Sequence, residues 1–406
     1  MVSKPYSLTF RCLLIAAAMA GCYYSALLGM AAHLFDQNTA NSVAEAVKLV
    51  PSNPRYVARL AVWKPEERVE LLHRAVALNP FDSESWIQLG FTAELDQNDP
   101  QTAEHYYLRA ASVDRMFLPK WTLTNFYFRR QNTAEFFRWA RATLAITPYS
   151  PDPVFAQMWR ISQDAAGIGA TVPDRPSILL QYAVYLSNNR RFAEIPPVVE
   201  RLIRAVGSAD PRAWGRDDLL AGIEDRLLSA GDAASALAVW TSMQHGNWLH
   251  EGVPTAAGPL TNGDFAIPFY KHGFDWTPLQ VSGVEIEQFP ESKSLRLTLS
   301  GEQPESCILL REYIPVEPGR EYRVRWSETA DRIEAPSGFA WHVRPVGSAG
   351  AAGAVSGDIL AAQRSVWRFK APAEKLCLLT LEYARPPGTV RASGSVTLQS
   401  VSLVVQ

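Results

Sequence analysis

The side chains best suited to chemistry in this sequence are carboxylates and aromatic rings in its C-terminal third. Glu285 with Glu287, and Asp331 with Glu334, stand close enough to be read as acid–base pairs. Glycoside hydrolysis needs two carboxyls at a set separation across a sugar, which sequence spacing does not specify, and such pairs are ordinary on solvated surfaces. Tyr313, Trp341, His342 and Tyr383 are of the types that stack on a pyranose and hydrogen-bond its rim, and they are the candidate glycan contacts. Trp276 is read as a core ring. The histidines are dispersed, and His245 and His250 have no helix to give them metal-ligand spacing. Phosphate-loop, His-Glu-x-x-His and Gly-x-Ser-x-Gly patterns are absent. The glycines of Gly347–Gly357 lie between strands without a lysine, so they form a loop and not a nucleotide cradle. These features together read as a non-enzyme that takes no cofactor.

Those candidate residues sit on a stretch of period two. Ser294-Leu295-Arg296-Leu297-Thr298-Leu299 and Arg320-Glu321-Tyr322-Arg323-Val324-Arg325-Trp326 alternate cleanly. Further strands are expected at 307–316, 339–346, 366–371, 376–383 and 395–405, with turns at Pro318-Gly319 and Pro386-Pro387-Gly388. Strands of this length and spacing make an antiparallel β-sandwich over 261–406. The opening Leu260-Thr261-Asn262-Gly263-Asp264-Phe265, the Pro318-Gly319-Arg320-Glu321-Tyr322 turn and the closing Gly394-Ser395-Val396-Thr397-Leu398 resemble the galactose-binding-type jelly roll of many carbohydrate-binding modules. That resemblance implies the fold, and a glycan as one class of ligand. The family often carries a structural calcium held by acids near the opening motif and on the last strand. Here Asp264 is present, but Ala266 and Leu398-Gln399-Ser400-Val401 supply no acid, so no metal is expected.

Upstream, residues 38–245 read as helices. Arg74-Ala75-Val76-Ala77-Leu78-Asn79-Pro80 is followed by Trp86, and Arg109-Ala110-Ala111-Ser112-Val113-Asp114, 35 residues on, by Trp121. Arg141-Ala142-Thr143-Leu144-Ala145-Ile146-Thr147-Pro148 follows in turn. Small residues let helices approach, and the prolines stop them. The pattern resembles tetratricopeptide repeats, clearest over 50–165, although Arg115 stands where the second unit would have its proline. The resemblance implies an α-helical solenoid of five or six hairpins whose groove grips a protein segment. Gln88, Glu94, Tyr106, Asn125 and Arg129 are the expected groove residues, with Ala75, Trp86, Ala110 and Trp121 as core. Residues 246–260 lack periodicity and are read as a linker.

Residues 1–35 are a different material. Cys12 to Ala32 carries no charge and is long enough to cross a hydrocarbon layer. Lys4 and Arg11 precede it, and Lys48 is the next Lys or Arg, so the N-terminus is expected in the cytoplasm and the bulk outside. A cleaved signal peptide and lipidation at Cys22, after Met19-Ala20-Gly21, remain alternatives to an uncleaved anchor. An exported Cys307 and Cys377 allow a disulfide between them, against two buried reduced thiols. With a formal net charge of −2 the chain has no basic face for nucleic acid.

The reading is thus a multidomain α + β chain with a transmembrane helix, a solenoid and a C-terminal jelly roll. It is expected at the bacterial inner membrane with its bulk in the periplasm. Its expected role is an accessory scaffold of envelope polysaccharide (exopolysaccharide or O-antigen) assembly, with a protein partner in the repeats and glycan on the jelly roll. A carbohydrate-active enzyme with unrecognised acids, and a structural assembly factor that binds no sugar, are the alternatives.

Overall fold

The computed structural model describes residues 8–207, 217–347, 353–361 and 365–406, so residues 348–352 of the glycine-rich loop lie outside the described residues. The chain divides into two compact units, Met1–Asp164 and Ala165–Gln406.

In the first unit the helices are α1 (Leu8–Asp36), α2 (Ala40–Leu49), α3 (Pro54–Trp63), α4 (Arg68–Leu78), α5 (Ser83–Phe91), α6 (Pro100–Val113), α7 (Phe117–Arg129), α8 (Thr133–Leu144) and α9 (Asp152–Ile161). They pair as antiparallel hairpins, α1 with α2, α3 with α4, α5 with α6 and α7 with α8, and each hairpin stacks on the next. Local chemistry sets the starts. Thr39 and Ser42 form a reciprocal cap on α2, Asn53 caps α3 ahead of Pro54, and Asp99 caps α6 ahead of Pro100. Ala46, Ala75, Ala110 and Ala140, one in the second helix of each hairpin, are fully buried, which brings neighbouring helices close. Trp86 and Trp121 are a correction to the expected core, because both are half-buried. The Trp86 indole donates to the Pro80 carbonyl at 2.9 Å, and the Trp121 ring stacks on Phe117 at 6.1 Å.

The second unit begins with α10 (Ala165–Thr171), α11 (Pro176–Asn188), α12 (Ile195–Val206), α13 (Asp217–Ser229) and α14 (Ala233–His245). Ten strands follow. β1 (Thr277–Pro278), β4 (Ser306–Pro315), β9 (Leu376–Ala384), β6 (Phe339–Pro345) and β7 (Ala354–Val355) form one sheet in that order. β2 (Val284–Phe289), β3 (Ser294–Ser300), β10 (Ser393–Val405), β5 (Glu321–Asp331) and β8 (Val366–Lys370) form the other. Every pairing is antiparallel. Alternation sends Leu295, Leu297 and Leu299 inward to a core that also holds Phe265, Trp276, Tyr322, Phe339, Trp341 and Tyr383. The opening motif closes this core: Gly263 lies so near the Val401 carbonyl that a Cβ would collide with it, and the Val401 N–H donates to the Gly263 carbonyl at 2.7 Å. Tyr322 staples the Pro318-Gly319 turn, accepting from the Glu317 N–H at 2.9 Å and donating to the Ala256 carbonyl at 2.8 Å.

The last helical hairpin packs directly on the start of the sandwich sequence. Trp240 of α14 is fully buried, donates to the Gly252 carbonyl at 3.0 Å and meets Tyr270 and Phe274 edge-on. Asp225 of α13 accepts from the Gly273 N–H at 2.9 Å and contacts His272 Nδ1 at 2.7 Å. Gly273 has φ +63°, and a Cβ there would strike the Trp240 ring. The segment 246–260 is accordingly packed, with Leu249 and Glu251 buried.

The expected Cys307–Cys377 disulfide is corrected by register. Both residues are free, Cys307 pairs with Tyr383 while Cys377 pairs with Ile314, and seven residues of strand separate them by about 20 Å. Bridged cysteines need Cα atoms within about 7 Å. Burial pushes the Cys377 thiol up to about 12, which leaves it unreactive.

The sandwich also buries acids. Asp275 accepts from the Tyr270 N–H at 2.6 Å, and burial, reinforced by the Glu251 charge, pushes its carboxyl up to about 7. Burial raises Glu312 well above the ordinary carboxylate range, although Thr261 donates its N–H to it at 2.8 Å. Between pH 4 and 7 the folded chain therefore holds protons that the unfolded chain has released, so stability falls as pH rises. Chemical denaturation should show that fall, and Asp275→Asn should flatten it by up to about 1.4 kcal/mol per pH unit over that window. An unchanged slope in the variant would mean that Asp275 titrates normally.

Candidate functional site

The faces of α1, α3, α5 and α7 line a groove along the first unit. One part, of about 410 Å³, is bounded by Phe35 of α1, Arg55, Ala58 and Arg59 of α3, and Ser85 of α5. The next, of about 460 Å³, lies between α5 and α7, where Ile87, Gln88 and Phe91 face Leu118, Trp121, Thr122, Asn125 and Arg129. Glu84 and Gln88 border both, which makes the groove continuous. Spacing explains the lining, since side chains three and four apart share a helix face.

The groove's polar groups are largely fixed. Arg129 donates Nε and Nη2 to the two carboxylate oxygens of Glu94, at 2.9 and 2.7 Å, and Tyr107 donates to the same carboxylate at 2.9 Å. The Glu94 hydrogen bond raises Arg129 further above its ordinary range, and burial with the same bond raises Tyr107. Asn125 donates to the Trp121 carbonyl and accepts from Gln157 Nε2, each at 2.8 Å. Arg129 is thus a neutralised rim and not a free anion clamp. Phe91, Leu118 and Trp121 offer partly exposed apolar surface beside the exposed Gln88 amide.

Of the residues expected in the groove, Gln88, Asn125 and Arg129 line one cleft, and Glu94 stands behind Arg129 as its counter-ion. Tyr106 lies on α6, tilted against Trp86 at 5.9 Å and 3.4 Å from His73 Nε2, and does not line that cleft. Sequence reasoning missed Ile87, Phe91 and Leu118, and it assigned Trp121 to the core. The signal was their three- and four-residue spacing with the polar groove residues on α5 and α7.

The expected glycan contacts separate by strand parity. Trp341 and Tyr383 are fully buried between the sheets, Trp341 against Trp276 at 6.2 Å, and Tyr383 with its hydroxyl accepting from the Ala392 N–H at 3.0 Å. Neither offers a face to a sugar. His342 and Tyr313 are half-buried on the opposite face of the first sheet. There His342 lies 3.1 Å from Arg344 Nη2, and Arg344 also pairs with Glu382. Burial opposes the Glu382 charge, but hydrogen bonds from Arg344 and Thr380 outweigh it and hold the carboxyl below its usual range. Burial lowers His342 and raises Tyr313. Among the described residues no cluster of three or more His, Cys, Asp and Glu has the geometry to hold a metal, and Asp264 is engaged by Lys293 at 3.0 Å.

No family model matches the chain, and no curated protein matches it. Among solved structures it is similar to a Pseudomonas aeruginosa pilF structure, at 16% identity over 47% of this chain and 90% of that one, with a TM-score of 0.26. A repeat-containing tetratricopeptide protein of Cytophaga hutchinsonii aligns at 16% identity over 54% of this chain and 94% of that one, TM-score 0.28. The structure titled BiXyn10A CBM1 aligns at 13% identity over 35% of this chain and 94% of that one, TM-score 0.24. The stacked hairpins and the paired antiparallel sheets themselves define a helical-hairpin repeat array with a C-terminal β-sandwich.

The cleft wall rests on one close approach. A Cβ on Gly90 would run into the Tyr107 ring, whose hydroxyl orients Glu94 and through it Arg129. Gly90→Ala should therefore destabilise the chain by about 1–3 kcal/mol, despite the better helix propensity of alanine. A denaturation midpoint equal to that of the unaltered chain would show that the ring has room to move.

Proposed function

We propose that this chain is an exported scaffold, held in a membrane by α1, that grips a segment of a protein partner in the groove of its helical repeats. The single observation that carries the reading is the groove running across α1, α3, α5 and α7, with partly exposed aromatic and aliphatic surface on α5 and α7. Arrays of this architecture present such faces to other proteins. With Arg129 neutralised by Glu94, the groove suits a segment rich in apolar and amide side chains better than an acidic tail. The apolar helix from Phe10 to Asp36 supports a membrane anchor or a signal sequence, and the charges of Lys4 and Arg11 ahead of its uncharged run Cys12–Ala32 support an N-terminus in the cytoplasm. The reading extends to assembly of envelope polysaccharide at a bacterial inner membrane. Its support there is the jelly-roll architecture and the polar face around His342, Arg344, Thr380 and Glu382.

A second reading is favoured by the docking of Trp240 and Asp225 onto the segment Tyr270–Phe274. In it the sandwich serves as a platform for the later helices and binds no sugar.

The test is capture from detergent-solubilised membranes by the full chain. Phe91→Ser with Trp121→Ser should reduce recovery of the partner at least about tenfold, measured below the melting temperature of the variant so that the loss is not one of folded protein. Undiminished recovery would remove the groove from the function. Appearance of polysaccharide-assembly proteins among the groove-dependent partners would bear on the finer reading, and their absence would count against it.

A further inference from the structure

The hairpin stack of the first unit has two edges: the within-hairpin edge has polar turns and one strongly exposed large apolar side chain, Leu95, whereas the other exposes one at each of three successive turns. Turns inside the hairpins read Gln37-Asn38-Thr39, Lys64-Pro65-Glu66-Glu67, Gln97-Asn98-Asp99 and Arg130-Gln131-Asn132. Turns between hairpins instead carry Phe81, Met116 and Tyr149, which are 75%, 71% and 68% exposed. These between-hairpin turns form one continuous edge. Arg74 donates to the Pro51 carbonyl at 2.8 Å, Ser83 donates to Asp114 at 2.9 Å, and Phe117 meets Tyr149 edge-on at 5.2 Å. Three large apolar side chains so exposed, about one repeat apart on one edge, call for a partner surface.

The helix α1 indicates what that surface is. It is one uninterrupted helix from Leu8 to Asp36. Residues 10–26 are exposed, whereas Leu27 is half-buried and Ala31 and Phe35 are buried against the hairpins. From Leu8 to Ala26 the helix rises about 28 Å, with Arg11 in its first turn placed to reach the headgroups, against the roughly 30 Å of a hydrocarbon core. α2 runs back antiparallel along the remainder, so the turn at 50–53 returns to the level at which α1 first meets the stack. The between-hairpin edge therefore lies at the level where α1 would leave a membrane, with no hinge between the two.

We propose that this edge rests on the bilayer that α1 crosses, with Phe81, Met116 and Tyr149 seated in the headgroup layer. The inference depends on the reading of α1 as a spanning helix. Aromatic and thioether side chains partition well at that depth, and an apolar rim of this kind adds to the hold of the span. The exposed Arg115, beside Met116, meets lipid phosphates at the same level. The groove then runs parallel to the membrane surface, and a partner in it is held close to the lipid.

Depth measurement tests this in the full chain, with the native cysteines replaced by alanine and single cysteines labelled with a fluorophore. The sites are Phe81→Cys, Met116→Cys, Leu95→Cys and Leu14→Cys; Leu95, 69% exposed, marks the other edge. The protein is reconstituted in phosphatidylcholine–phosphatidylglycerol vesicles containing lipid with a shallow nitroxide quencher. Labels at 81 and 116 should be quenched at least about twofold more than at 95, as expected for side chains at the headgroup boundary. Quenching at 81 and 116 no greater than at 95, with strong quenching by a deep nitroxide at 14, would overturn the inference and leave the span intact. No quenching at 14 would overturn the spanning reading and this inference with it. Because no other protein is present, a peptide docking on this edge would give the unquenched outcome.

Discussion

The constraint on which the first unit depends is that one unbroken helix, α1, joins an exposed apolar segment to the repeat array. The far end of α1 is the opening helix of the repeat array, with Ala31 and Phe35 buried against its neighbours. Phe35 stacks on Tyr56 at 4.7 Å, and the Arg55 guanidinium lies 5.1 Å over the same ring. A helix has no torsional slack, so packing its last three turns against α2 and α3 fixes the direction of the apolar segment relative to the groove. The apolar segment is therefore continuous with the repeats, without a flexible stalk between them.

The groove follows from the same stacking. Fully buried alanines in the second helices bring the hairpins together, and the first helices then present a continuous face. Two of its polar groups are satisfied within the stack, Arg129 by Glu94 and Asn125 by Gln157. A preformed and internally paired surface loses little on binding, which suits recognition by apolar contact with a few amides. In the second unit the priority is reversed. Trp240, Asp225 and the tight Gly273 join the last hairpin to the sandwich, and buried acids such as Asp275 and Glu312 are tolerated with backbone donors around them.

Much of this architecture could be read in the residues. The change from a period near 3.6 to a period of two marks the change from helices to strands, and the Leu260–Phe265 motif marks where the sandwich opens. Alanines such as Ala75 and Ala110 mark the helix contacts. What could not be read were relations that depend on a partner. Apolar residues facing lipid and apolar residues facing another helix look alike, so Leu27, Ala31 and Phe35 did not announce that α1 enters the repeats. Trp121 has the size of a core residue, and its half-exposure comes from lining the cleft between α5 and α7. Parity along β6 was legible, since Phe339, Trp341 and Val343 alternate with Ala340, His342 and Arg344, and attention to it would have removed Trp341 from the sugar contacts. The offset of Cys307 from Cys377 is a matter of strand register, which spacing in sequence does not carry.

The central claim is that recognition resides in the groove between α5 and α7. Amide hydrogen exchange of the full chain, in detergent and with its captured partner bound, tests it most directly. The account predicts slower exchange over Ser83–Phe91 and Phe117–Arg129, with the strands carrying His342 and Tyr313 unchanged. Slower exchange confined to those strands, with α5 and α7 unaltered, would contradict it.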